Sequence, residues 1–174
     1  SAHGYLLSEF LSPDINTRSD AWGGSLENRA RIHLEIIKRC RAEVGADFPI
    51  SVKLNSADFQ KGGFTANESI QVAKMLEDAS VDIIEISGGS YEQPKQIGAD
   101  DLSINPDRSE ERKESTIARE AYFLEYANNI RKAVSLPLMV TGGFRTRDGI
   151  ERALQSNICQ MVGVGRPLCA DPYC

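Results

Sequence analysis

Apolar residues recur along this chain at two alternating spacings, one typical of helices and one typical of buried strands. An apolar helical face follows Ser25, a candidate N-cap, and ends at Gly45. A second helix is predicted after Thr65, because Thr65 and Glu68 have the spacing of a capping box. The same spacing predicts two further helices, at residues 117–134 and 146–156.

Between these helices lie short, continuous apolar runs, which are typical of strands in a buried parallel sheet. Four such strands are predicted, at residues 48–54, 81–86, 138–141 and 159–164. Residues 1–25 are rich in turn formers and are predicted to form a long loop, while the polar stretch 91–115 is predicted to be an exposed excursion. Strict alternation of helix and strand implies parallel strands joined by right-handed crossovers.

This order predicts an α/β fold, namely part of a (β/α)8 or TIM barrel, with parallel strands corresponding to its fifth to eighth strands and their helices. A complete barrel takes about 250 residues, whereas this chain has 174. The chain also starts in a loop and stops after a strand. We therefore expect residues 1–174 to be a single incomplete domain, the C-terminal half of a barrel. The alternative is a complete, small, doubly wound sheet.

Composition narrows the possible function classes. The chain has 20 basic and 25 acidic residues and a formal net charge of −5, with no basic stripe, which argues against a nucleic-acid surface. No apolar run approaches the ~20 residues that a membrane span needs. The four cysteines lack Cys-x-x-Cys spacing, which favours reduced thiols in a cytoplasmic protein over a disulfide frame or a zinc site. With two histidines only, we expect no metal site.

Two glycine-containing turns follow the last two predicted strands, in the segments Thr141-Gly142-Gly143-Phe144-Arg145 and Val162-Gly163-Val164-Gly165-Arg166. Glycine lets backbone N–H groups approach an anion closely, and helix N-termini beyond such turns favour negative charge. Turns after the seventh and eighth strands of a (β/α)8 barrel commonly bind phosphate in this way. The alternative is that both are ordinary turns that need glycine for a positive φ.

The sequence closely resembles the old yellow enzyme family of flavin-dependent ene-reductases and NAD(P)H:flavin oxidoreductases. The resemblance covers nearly the whole chain, and it is most specific in the first 31 residues. The matching motifs are His3-Gly4-Tyr5-Leu6-Leu7, Phe10-Leu11-Ser12-Pro13, Asn16, Arg18, Asp20, Gly23-Gly24-Ser25, Glu27-Asn28-Arg29, Arg31, Lys53, Thr141-Gly142-Gly143 and Gly165-Arg166-Pro167-Leu168.

The resemblance implies an FMN-containing (β/α)8 barrel that takes hydride from NAD(P)H and reduces activated alkenes such as α,β-unsaturated carbonyl compounds. It further implies that His3 donates a hydrogen bond to the substrate carbonyl oxygen and that Tyr5 donates a proton to the α-carbon. In the family pattern a second histidine precedes His3 by three residues, and that position lies one residue before Ser1. Without the resemblance, His3 would be interpreted as a loop cap and Tyr5 as a packing residue.

The same resemblance implies a cofactor-binding set. Lys53 lies where the family carries a basic residue near the flavin ring, and a cation there favours the anionic reduced flavin. Its alternative is a solvated lysine at the end of a strand. The FMN phosphate site corresponds to Gly142, Gly143, Gly165 and Arg166.

Two other functions remain open at this stage. The chain could be a non-catalytic half-barrel that acts by association, with a partner half or with itself, since unpaired outer strands invite pairing with another chain. It could also belong to another barrel enzyme that binds a phosphorylated metabolite.

His33 is interpreted as an ordinary helix histidine. We predict that residues 1–174 alone reduce enones negligibly.

Overall fold

The computed structural model describes residues 1–89, 122–144, 146–165, 168, 169, 171 and 173. This part of the chain contains five helices and four strands, and helices and strands alternate after the first helix. Their bounds are α1 Leu6–Leu11, α2 Leu26–Val44, β1 Ser51–Asn55, α3 Ala66–Asp78, β2 Ile83–Ser87, α4 Tyr122–Arg131, β3 Leu138–Thr141, α5 Arg147–Gln155 and β4 Met161–Gly163.

The four strands form one parallel sheet in the order β1-β2-β3-β4. Each strand pairs with the next one along the chain, which is the order found in a (β/α)8 barrel, whereas a doubly wound sheet reverses its order at a switch point. The predicted fold class, a parallel α/β arrangement that makes up part of a TIM barrel, is therefore confirmed.

One face of the sheet carries the hydrophobic core. The strand side chains on this face are fully buried against α3, α4 and neighbouring helices. Because side chains alternate across a strand, the intervening residues lie on the opposite face. The buried strand residues are Leu54, Ile84, Ile86, Leu138 and Val140.

The helix boundaries follow the local signals in the sequence. The Ser25 hydroxyl accepts a hydrogen bond from the Asn28 N–H at 3.3 Å, and Gly45 ends α2 with a φ of 82°. At the start of α3 both halves of the capping box form: the Glu68 N–H donates to Thr65 Oγ1 at 3.3 Å, and the Thr65 N–H donates to Glu68 Oε2 at 2.9 Å. These predictions are confirmed because capping depends on residues that are close in sequence.

The prediction that residues 1–25 form only a loop is wrong, since this segment contains α1. Six residues are too few to show a helical pattern, and α1 is held by packing against α2, with Leu11 buried. Strands β1, β2 and β4 begin two or three residues later than predicted, and Phe48 is exposed before β1 begins. The predicted excursion at 91–115 and the start of the helix predicted at 117–134 lie outside the described residues.

A buried guanidinium ties the first segment to the rest of the fold. Arg29, on α2, donates to the Gly24 carbonyl at 3.1 Å, to the Leu11 carbonyl, and to Glu68 Oε1 at 2.5 Å. Its side chain is 5% exposed. Arg29 thus joins the end of α1, the loop before α2 and the start of α3.

Lowering the pH is expected to destabilise the protein through His33 on α2. Burial is the main cause of the low pKa of His33, which falls from 6.5 to about 4. In the unfolded chain, His33 therefore becomes protonated at a higher pH than in the native state. The stability that neutral His33 contributes is complete above pH 6.5 and is lost as the pH falls towards 4. The lost free energy of unfolding is about 3 kcal/mol.

Urea titrations of the wild type and His33→Gln at about pH 7 and about pH 4.5 measure this effect. The variant should lose clearly less stability than the wild type between the two pH values. Equal losses in both proteins would contradict the assignment.

Candidate functional site

The face of the sheet opposite the core carries polar side chains towards the carboxyl ends of the strands. Lys53 and Glu85 are register partners on β1 and β2, and Glu85 is the register partner of Met139 on β3. One pair further along, Asn55 is the partner of Ser87. Because these residues alternate with the buried core positions, they lie together on one face.

Lys53 and Glu85 form an ion pair on this face, with Lys53 Nζ 2.6 Å from Glu85 Oε1. Burial raises the pKa of the Glu85 carboxyl, but the hydrogen bond and the charge of Lys53 outweigh burial and hold this pKa below its ordinary value. The carboxylate is therefore ionised at neutral pH. Lys53 is a predicted site residue, whereas no motif or spacing in the sequence selects Glu85.

His3 lies against the carboxyl ends of β1 and β2. Its backbone N–H donates to Asn55 Oδ1 at 3.1 Å, and its Nε2 is 2.5 Å from Ser87 Oγ. Its φ of 62° is in the left-handed region, which an asparagine-anchored turn can hold in spite of the steric cost. The loop at the start of the chain is thus fixed to two strand ends.

The His3 imidazole is neutral at pH 7. Burial first, and the positive charge of Lys53 second, lower the pKa of His3 from its ordinary value. A neutral imidazole has one N–H donor and one acceptor nitrogen. His3 can therefore donate one hydrogen bond to an oxygen on this face of the sheet without carrying a charge.

Asn55 is the centre of a buried network that sequence reasoning missed. Besides accepting from His3, its side-chain amide donates to Asp58 Oδ1 at 3.1 Å and to the Gly89 carbonyl at 2.9 Å. Asp58 Oδ2 in turn accepts from the Phe64 N–H at 2.9 Å. The only sequence signal is a polar residue directly after the apolar run of β1. The network fixes the β1–α3 loop beneath His3.

Tyr5 is the N-cap residue of α1 and follows His3 by two positions. The residue is 62% exposed, and its carbonyl accepts from Ser8 Oγ at 2.8 Å. The alternative interpretation, that Tyr5 is a packing residue with a buried ring, is therefore wrong. Tyr5 and His3 share the end of the sheet where the carboxyl ends of β1 and β2 lie.

The predicted glycine turns occupy the other half of the same sheet edge. Gly142 and Gly143, directly after β3, have φ values of 106° and 87°, which favour glycine. At Gly165, after β4, an added Cβ would meet nothing within 4 Å. At Gly163 it would collide with the Thr141 hydroxyl and lie 2.9 Å from Met139 Cε, so Gly163 is required for packing. Arg166 lies outside the described residues.

The predicted residues therefore fall into two groups along one edge. His3, Tyr5 and Lys53 lie at β1 and β2, and the glycines follow β3 and β4. Neighbouring strands are about 4.8 Å apart, so about 10 to 15 Å separates the groups. Within the described residues, no group of three or more potential metal ligands occurs, and no helix is long and apolar enough to cross a membrane.

A parallel sheet in barrel order, with a cation on the face opposite the core and glycine turns at its last two strands, forms part of a (β/α)8 barrel. The chain belongs to the NADH:flavin oxidoreductase / NADH oxidase family, whose model matches residues 1–174.

Three comparisons illustrate this membership. The chain is 39% identical over 173 residues to the NADH-dependent flavin oxidoreductase iccE of Talaromyces variabilis, covering 99% of this chain and 40% of that protein. It superposes on a 2-naphthoyl-CoA reductase complex with a TM-score of 0.79 at 36% identity, covering 97% of this chain and 24% of that one. An old yellow enzyme homologue from Zymomonas mobilis shares the fold, with a TM-score of 0.68 at 24% identity over 98% of this chain and 42% of that one.

The chain spans between 22% and 41% of the length of the first curated relatives it matches. It therefore corresponds to a part of an oxidoreductase of this family. The resemblance to the old yellow enzyme family, seen in the motifs around His3 and Tyr5, is confirmed.

Proposed function

We propose that residues 1–174 form the C-terminal half of an FMN-dependent reductase, which uses NADH or NADPH to reduce the C=C bond of α,β-unsaturated carbonyl compounds in the cytoplasm. The observation that carries this proposal is the shared sheet edge, with His3, Tyr5 and Lys53 at one end and the glycine turns at the other. The family membership supports the oxidoreductase class and the flavin.

The residues present fit an FMN molecule at this edge. The left-handed backbone at Gly142 and Gly143, and the open space at Gly165, allow an anion to approach main-chain N–H groups. Helix α5 begins shortly after, with Thr146 as its N-cap. We assign the phosphate to these turns and to Arg166, and the flavin ring to Lys53. When bound, FMN supplies the hydride that reduces the alkene.

His3 and Tyr5 act on the substrate in this proposal. As hydride reaches the β-carbon, negative charge develops on the carbonyl oxygen. In this proposal His3 Nε2 accepts from the Ser87 hydroxyl, and the Nδ1–H of the neutral imidazole stabilises that charge by roughly 2–4 kcal/mol. Tyr5 Oη transfers its proton to the α-carbon, which completes the saturated product. Solvent then returns a proton to Tyr5, which is 62% exposed.

The experiment that tests this function uses the protein with its complete set of barrel strands. It should purify with an absorbance band near ~450 nm, as expected of bound flavin. Under anaerobic conditions NADH or NADPH should bleach the band, and 2-cyclohexenone should restore it with formation of cyclohexanone. A colourless protein would overturn the flavin site, and a reduced protein that 2-cyclohexenone cannot reoxidise would overturn alkene reduction. Residues 1–174 alone should give negligible turnover.

A second candidate function is association without catalysis, as a half-barrel that pairs with a partner half or with itself. Two observations favour it: among the described strands β1 and β4 each pair on one side only, and Met161 is 50% exposed on β4. Size-exclusion chromatography of residues 1–174 at several concentrations tests whether the half-barrel associates with itself. A strict monomer at every concentration would eliminate self-association.

A further inference from the structure

The open face of the sheet, which is the face opposite the core, carries one cation and one anion among its described strand residues. Lys53 and Glu85 are these two, and the other side chains on this face are neutral. The electrostatic field of this face therefore depends mainly on how the two charges are arranged. The neutral neighbours are Ser51, Asn55, Ile83, Ser87, Met139, Thr141 and Met161.

The two charged side chains lie next to each other on this face. Because Lys53 and Glu85 are Cα register partners on adjacent parallel strands, the short 2.6 Å contact needs no distortion of the sheet. The side chains are 32% and 19% exposed, so solvent screens the pair less than it screens a surface pair. Of the two charges, the carboxylate is the more deeply buried.

Backbone pairing already joins the two strands that carry this ion pair. Backbone hydrogen bonds join β1 to β2 over five residue pairs, from Ser51 and Ile83 to Asn55 and Ser87. A carboxylate buried next to a lysine costs desolvation that a neutral side chain would avoid. The position of Glu85 beside Lys53, the residue assigned to the flavin ring, therefore calls for a functional explanation.

We propose that Glu85 is a positioning residue. Its carboxylate holds the Lys53 ammonium in place between β1 and β2 and reduces the positive charge that the bound flavin experiences from Lys53. This inference rests on the proposed function. Without Glu85, the full charge of Lys53 acts on the bound flavin and favours its anionic reduced form. The pair, and not Lys53 alone, then sets the balance between oxidised and reduced flavin.

The first test measures the midpoint potential of the bound flavin in the complete flavin-loaded protein. Glu85→Gln should bind reduced FMN about tenfold more tightly relative to oxidised FMN, which raises the midpoint potential by about 30 mV for two electrons. Glu85→Asp, which keeps the charge on a shorter side chain, should lie between Glu85→Gln and the wild type. Glu43→Gln, a matched loss of an exposed carboxylate on α2, should leave the potential unchanged.

The second test uses the flavin-free protein and does not depend on the cofactor. A hydrogen-bonded ammonium exchanges its protons slowly, so ¹⁵N–¹H correlation spectra should contain a Lys53 Nζ signal in the wild type. The signal should disappear in Glu85→Gln and persist in Glu43→Gln. An unchanged midpoint potential in Glu85→Gln would overturn the inference, and so would a persistent Lys53 signal in that variant. A wild type that binds no FMN would instead overturn the proposed function, whatever the state of the ion pair.

Discussion

Tyr5→Phe is expected to lower the rate of alkene reduction by a factor of roughly 10² to 10⁴, because it removes the phenol that protonates the α-carbon. The rate of flavin reduction by NADH or NADPH should not change, because that step needs no proton from Tyr5. The fold should also be preserved, since Tyr5 is 62% exposed and only the hydroxyl is lost. Anaerobic stopped-flow kinetics of the complete protein measure the two half-reactions separately.

Tyr173→Phe is the matched control, because Tyr173 is 94% exposed and lies outside the proposed site. It should leave both half-reactions unchanged. If Tyr5→Phe also kept its full rate of 2-cyclohexenone reduction, the proton would have to come from another group. The role of Tyr5 would then be wrong, while the assignment of the flavin site would stand.

Arg29→Met is expected to reduce the free energy of unfolding by about 3 kcal/mol, because it leaves buried acceptors without their donor. Arg29 satisfies the Gly24 and Leu11 carbonyls as well as Glu68, and methionine replaces only the apolar part of its side chain. Since domains unfold with about 5–15 kcal/mol, this is a large share of the total. Urea titration followed by circular dichroism measures the change.

Lys38→Met, on the exposed side of α2, provides the control and should change stability by less than about 0.5 kcal/mol. Adding Glu68→Gln to Arg29→Met should recover part of the loss, since the uncompensated carboxylate is then gone. A loss below 1 kcal/mol in Arg29→Met would mean that Arg29 is not needed to hold α1 and the loop in place.

Sequence reasoning succeeded where the signal is local. The caps at Ser25 and Thr65 and the alternation of strands and helices depend on residues close in the chain, and these predictions are confirmed. Helix α1 was missed because its six residues are stabilised by distant partners, above all through Arg29. Local patterns carry no information about such partners.

The candidate site was predicted only in part, for a related reason. Lys53, His3 and Tyr5 could be selected from motifs, and their roles stay predictions. Glu85 and Ser87 gain their significance only from the strand register, which joins them to residues more than 30 positions earlier. The last residue of β4, Gly163, and the glycine that follows the strand, Gly165, differ in a way that only packing can reveal. Gly163 is enclosed by side chains of β3, whereas Gly165 faces open space.

The network around Asn55 also determines how this site tolerates chemical ageing. Asn55 is followed by Ser56, a small neighbour that ordinarily leaves an asparagine prone to deamidation. Its amide nitrogen is held between Asp58 and the Gly89 carbonyl, which keeps it from the orientation that ring closure requires. An aspartate produced there would place two carboxylates against each other beneath His3, so the durability of the histidine loop depends on an amide that stays intact.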